Sequence, residues 1–167
     1  MINAITLSGT TVGLQDRQVR LAMEKAHEFA GRFWFRRFAD LHFLPSAVAR
    51  YGYERRRAKT QRRKEQLAKR GLVVEDGRSP LVWSGLMKRE YLRTPIIKAT
   101  DEYVRMTMIA PNYVHARGKR MYRELTAITP GEEEQINRET QRVYDSATAT
   151  ARRMNARIQF RNTWKGT

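Results

Sequence analysis

Between Glu54 and Gln66 the only apolar side chain is Ala58, while Arg55, Arg56, Arg57, Lys59, Arg62, Arg63 and Lys64 crowd the same stretch. A helix seats itself on its own domain through an apolar stripe, and this stretch has none to offer. It is therefore expected to project into solvent or onto a partner. The wider segment from Arg50 to Arg70 sets ten basic residues against Glu54 and Glu65, a net charge of +8. A solvated face is the ordinary fate of a charge run. Here few acids stand at i,i+4 to compensate the cations, so neutralisation from outside is an equal expectation.

The whole chain carries the same bias. Lys and Arg number 33 against 17 Asp and Glu, giving a formal charge of +16 and a pI near 10.9. Phosphate backbones are the first candidate partner, because each neutralised phosphate releases condensed counterions without any reading of sequence. Acidic protein surfaces are the second. No apolar run nears the roughly 20 residues needed to span a bilayer, so no membrane partner is expected. The absence of cysteine excludes disulfides, thiol nucleophiles and cysteine-based zinc sites. The first residues lack a basic region followed by a long apolar stretch, which places the expected site of action in a cytoplasm or in something assembled there.

A length of 167 residues with 41% hydrophobic content suits one core of ordinary size. From about Gln15 to Leu44 the residues Val19, Ala22, Met23, Ala26, Phe29, Ala30, Phe33, Trp34, Phe38 and Leu41 recur at helical spacing, and core packing explains this aromatic stripe. Pro45 should stop that helix, and a second should run from Ser46 to about Arg70, ending at Gly71. Gly71 to Pro80 reads as a loop, followed by the apolar patch Leu81 to Lys88 with Gly85 inside it. A hairpin is expected from Ile96 to Ala99 and Tyr103 to Ile109, turning at Thr100-Asp101-Glu102, with Val104, Met106 and Met108 on one face. A third strand is expected from Met121 to Ile128.

The last helix has the clearest start. Thr129-Pro130-Gly131-Glu132 places a capping threonine before a proline at the first helical position, with a glutamate three residues after the cap. Glu133 and Glu134 complement the helix dipole. The helix should run to about Met154, with Ile136, Thr140, Val143, Tyr144, Ala147 and Ala151 as its stripe. Beyond it, Ile158, Phe160 and Trp164 alternate among Arg157, Arg161 and Lys165 in a tail expected to be extended and to dock on a neighbouring subunit. The fold class that follows is α+β: long N-terminal helices, a small antiparallel sheet of a hairpin plus a third strand, and a C-terminal helix packed on it. The expected domain is residues 1–154, with the basic helix of about 46–70 projecting, and 155–167 as the tail.

Chemistry finds little to work with. His27, His42 and His115 stand at no metal-ligand spacing, and Asp40 and His42, two apart, fall on different sides of a helix. Trp83-Ser84-Gly85 lacks the glycine pattern of a nucleophile elbow. The acids Glu132, Glu133 and Glu134 are explained by capping rather than by a metal-dependent nuclease centre. No catalytic residue, cofactor or metal is expected, and the reading is a non-enzymatic protein.

The chain runs through Phe43-Leu44-Pro45, then Tyr51-Gly52-Tyr53-Glu54-Arg55-Arg56 leading into the basic helix, then Pro80-Leu81-Val82-Trp83-Ser84-Gly85-Leu86-Met87-Lys88. After the hairpin come Tyr113, Gly118, Arg123 before Leu125, and the capped helix. In these residues and their order the chain resembles the tail-completion, neck and virion-morphogenesis proteins of tailed bacteriophages. The resemblance implies a virion component at the head–tail junction, assembled in the host cytoplasm as a homo-oligomeric ring between portal or adaptor and tail proteins. A ring needs unlike faces that meet. Trp83, Leu86, Ile158, Phe160 and Trp164 are candidates for one such interface, and Glu132 with Glu133 for its acidic counterpart. Arg55, Arg56, Arg57, Lys59, Arg62, Arg63 and Lys64 are the candidate contacts to packaged DNA or an acidic partner. The alternative is a cellular RNA- or DNA-binding module using the same helix with Tyr51 and Tyr53 as stacking platforms.

Overall fold

The computed structural model describes residues 13–53, 57–72, 81, 85–109 and 123–164, with the side chains of 157–164 left aside. The fold is α+β. Helix α1 spans Asp16–Phe38 and gives way to a 3-10 turn over Ala39–Phe43. Short α2 (Ala47–Tyr51), α3 (Ala58–Lys69) and α4 (Leu86–Tyr91) follow, then strands β1 (Ile96–Ala99) and β2 (Val104–Thr107), then the long α5 (Pro130–Trp164). By their contacts the residues gather into two compact units, one of residues 1–33, 97–105 and 133–167, the other of 34–96 and 106–132.

In the first unit α1 presents Ala22 and Ala26 to Tyr144 of α5, with Met23, Val143 and Ala147 packed around them. Alanines at i and i+4 let two helix backbones approach closely enough for one tyrosine ring to fill the seam. Gln18 and Asn155 close one end, the Gln18 amide donating to Asn155 Oδ1 at 2.8 Å and the Asn155 amide donating to the Gly13 carbonyl at 3.0 Å. The hairpin turn is tied to α1 through buried His27, whose Nδ1 donates to the Thr100 carbonyl at 2.7 Å. Thr100 also organises the turn itself, its backbone N–H donating to the Tyr103 carbonyl at 2.9 Å while its hydroxyl accepts from the N–H of Glu102 and of Tyr103.

In the second unit Trp34, Phe38, Phe43, Tyr53, Leu81, Met87, Tyr91 and Leu125 are the large apolar and aromatic side chains buried among the described residues. Tyr91 meets Phe43 edge-on at 5.4 Å between ring centroids and donates its hydroxyl to the Leu125 carbonyl at 2.5 Å. Both terms favour one fixed geometry.

Four expectations change. The first helix, expected to run to about Leu44, ends at Phe38 and gives way to the 3-10 turn over Ala39–Phe43. The helix expected over 46–70 is broken at Gly52, which takes the left-handed conformation (φ +63) and caps α2 through its N–H to the Val48 carbonyl. Residues 123–125, expected in a third strand, are helical, and the sheet of described residues has two strands. The C-terminal segment is not an extended tail, since α5 runs on to Trp164. The hairpin, the helix start at Pro130 and the stop of α3 at Gly71 stand where they were read.

Candidate anion-binding interface

Helix α3 has two faces. Lys64 is 5% exposed, and Gln61, Leu67 and Ala68, its neighbours at helical spacing, are half-buried. Lys59, Arg62, Arg63, Gln66, Lys69 and Arg70 are exposed. At 3.6 residues per turn these six fall within an arc of about 120°. The helix ends on Gly71 (φ +70), with Leu72 N donating to the Leu67 carbonyl and Gly71 N to the Ala68 carbonyl, both at 2.9 Å. That is the Schellman arrangement, which satisfies the carbonyls left over at a helix end.

None of Lys59, Arg62, Arg63, Lys69 and Arg70 makes an ion pair with another described residue, and neither does exposed Arg57 at the N-cap. Glu65, the acid within the helix, is exposed and accepts instead from the Gln61 amide at 2.9 Å. The stripe therefore holds five cations at i, i+3, i+4, i+10 and i+11 with their charge uncompensated by the described fold. Lys64 does not belong to the exposed stripe, because its side chain is 5% exposed. Arg55 and Arg56 lie outside the described residues.

Just upstream, the segment from Arg50 to Tyr53 is held by a buried polar cluster that the sequence did not announce. Glu132 is 2% exposed, and its Oε1 accepts from Arg50 Nε at 2.9 Å, Arg50 Nη2 at 2.8 Å and the Tyr51 hydroxyl at 2.8 Å. Its Oε2 accepts from the N–H of Thr129 at 3.1 Å, while Thr129 Oγ1 accepts from the N–H of Glu132 at 3.3 Å. The second pair is the capping box read from the sequence. The Arg50 guanidinium is held above its ordinary value, first by its hydrogen bond to Glu132.

Next to it the Tyr53 hydroxyl donates to the Glu124 carbonyl at 2.6 Å, and Nδ1 of fully buried His42 faces both that carbonyl, at 3.0 Å, and the Tyr53 hydroxyl. The Tyr51 ring lies flat on the His42 imidazole, 4.1 Å away and 6° from parallel. Burial pulls His42 down to about 4 and, again as the first cause, pushes both tyrosine hydroxyls well above their ordinary range. A neutral imidazole with its proton on Nδ1 satisfies this geometry. His42 Nε2 has no hydrogen-bond partner. The cluster contains no activated nucleophile, and its chemistry is that of a brace.

The other expected site residues separate. Glu132 is withdrawn from any acidic subunit face by its burial and its bond to Arg50, leaving Glu133 exposed. Leu86 is half-buried, and the neighbouring Met87 is the side chain that enters the core. Trp83 lies outside the described residues, as do the side chains of Ile158, Phe160 and Trp164. Tyr51 and Tyr53, the proposed stacking platforms, are turned into the brace. Among the described residues no group of three His, Cys, Asp or Glu could hold a metal ion, and no helix is long and apolar enough to cross a membrane. An open groove of about 400 Å³ in the first unit is lined by Lys25, Phe29, Glu139, Arg142, Val143 and Ala147 among others, and Arg142 is engaged with Glu139 at 2.9 Å. No protein-family model, curated protein or solved structure matches the chain.

Proposed function

We propose that this chain is a non-enzymatic structural protein of a tailed-bacteriophage head–tail junction, of the neck or tail-completion kind. It forms a homo-oligomeric ring in the virion, between the portal or adaptor side and the tail, and presents α3 to an anionic partner. The observation that carries this reading is the stripe Lys59, Arg62, Arg63, Lys69 and Arg70, exposed and unpaired within the described fold. Packing alone does not require such a stripe. Five like charges on one helix face repel one another and lower stability unless something negative meets them.

The reading is supported further by the order of elements, an aromatic helix, a basic helix, a hairpin and a capped C-terminal helix. Identical chains close a ring through heterologous contacts, and the chain carries unlike charged surfaces: the α3 stripe and exposed Glu133 and Glu134 on the first turn of α5. The competing module that stacks single-stranded bases loses its platforms, since Tyr53 is buried and Tyr51 is committed to His42 and Glu132.

The test is charge reversal in the virus that carries the protein. Lys59→Glu, Arg62→Glu and Arg63→Glu together should give heads that fill but fail to join tails. Normal infectious particles from that variant would overturn the proposal.

A further inference from the structure

We infer that the polyanion met by α3 is the backbone of double-helical nucleic acid, held without regard to base sequence. The inference rests on reading α3 as an outward docking face, as proposed above, and selects among the anions that could meet it.

The composition of the face makes the selection. Within the arc of Lys59, Arg62, Arg63, Gln66, Lys69 and Arg70 the only uncharged side chain is Gln66. Protein interfaces take their affinity from buried aromatic and aliphatic anchors and deplete lysine at their centres, and this arc has no anchor to bury. Phosphate backbones ask for none, because released counterions supply the free energy. Single strands are bound by stacking their bases on aromatic rings. The arc has no ring, and the two nearest tyrosines in the sequence are locked against His42, Glu132 and Glu124. A duplex, with its bases already stacked, is the polyanion that fits.

The dimensions agree. From Lys59 to Arg70 the helix rises about 16 Å, a length over which a duplex carries roughly ten phosphates. Five flexible cations therefore find phosphate partners in any register, and such contacts carry no information on base sequence.

The experiment is fluorescence anisotropy on the full chain with a labelled 30-base-pair duplex of arbitrary sequence, across a salt series. If all five cations engage, the logarithm of affinity should fall with the logarithm of salt at a slope of about −4 to −5. Arg62→Glu with Arg63→Glu should make that slope shallower by about 2 and weaken binding at least about 30-fold at 0.1 M salt. The control is Lys98→Glu with Arg105→Glu, two exposed cations of the hairpin that impose the same change in net charge; it should weaken binding by less than about threefold. Duplex DNA and duplex RNA share the backbone chemistry and serve as separate arms, and comparable binding of the two is the expected result.

Equal losses from the two double variants would overturn the inference, since binding would then follow net charge alone. Equal competition by poly-glutamate, charge for charge, would overturn it in favour of an acidic protein, and tighter binding of a single strand would overturn the duplex assignment. Reversal at Arg62 and Arg63 that blocks tail joining while duplex binding persists would sink this inference and spare the docking role. Reversal that alters neither would sink both.

Discussion

Glu132 sits at the first turn of α5 with its carboxylate 2.8 Å from the guanidinium of Arg50, a residue of α2 far away in sequence. One carboxylate thus caps α5 on one side and anchors the segment leading to α3 on the other. Because Glu132 is buried and Arg50 is 42% exposed, the two partners are not equivalent. Removing the arginine strands a buried charge, whereas Glu132→Gln keeps an acceptor for the Thr129 N–H. Arg50→Ala should lower unfolding free energy by about 1–3 kcal/mol, discounted for the exposure of the pair, and by more than Glu132→Gln does. Urea denaturation of both variants checks the order.

His42 makes stability depend on pH in a defined window. Its imidazole is held at about 4 in the folded chain against 6.5 when free. Above pH 6.5 both states are neutral there. As pH falls from 6.5 towards 4, the unfolded chain takes up a proton that the folded chain refuses, so stability is lost over that interval, by up to about 3 kcal/mol. His42→Phe removes the titrating group. The stability gap between wild type and variant should therefore narrow on acidification through this window, and a gap that stays constant from pH 7 to 4 would show that His42 titrates normally.

Ala26 is fully buried in the seam between α1 and α5, against Tyr144. Ala26→Leu should overpack it and cost about 1–3 kcal/mol, while Leu21→Ala, at a position 47% exposed on the same helix, should change stability by no more than about 0.5 kcal/mol. Paired thermal melts decide whether the seam is as tight as described.

Two glycines should respond with opposite signs. Gly71 ends α3 at φ +70 with open space around its Cα, so Gly71→Ala meets backbone strain alone and should cost about 1 kcal/mol. Gly131, inside the first turn of α5 with equally open space, carries no such φ, and Gly131→Ala should stabilise by about 0.5 kcal/mol.

What was legible in the sequence was local. The capping box of Thr129 and Glu132, the hairpin around Thr100 and the stop at Gly71 all depend on residues a few positions apart, and each lies where its signal puts it. The brace was not legible, because His42 meets the Glu124 carbonyl, and Arg50 meets Glu132, across long stretches of chain. Nothing in the types of those residues announces which distant partner each will find.

The misreadings have physical causes as well. Alternation of Ile158 and Phe160 suggested an extended tail, yet no Gly or Pro stands between Gly131 and Gly166 to interrupt α5. Arg123-Glu124-Leu125, read as strand, consists of good helix formers. On α3, counting apolar residues hid the inward face, since a lysine, Lys64, is among the buried positions.

The central claim is that the α3 stripe has no partner among the described residues, its charge being met from outside the chain, and the most direct measurement is the thermal stability of Lys59→Gln with Arg62→Gln and Arg63→Gln over a range of ionic strength. Unpaired like charges repel, so their removal should leave the melting temperature unchanged or raise it by a few degrees at low salt, with the difference vanishing near 0.5 M salt as screening takes over. A melting temperature lowered by several degrees at every salt concentration would mean that these cations are engaged inside the fold, and the account would be contradicted.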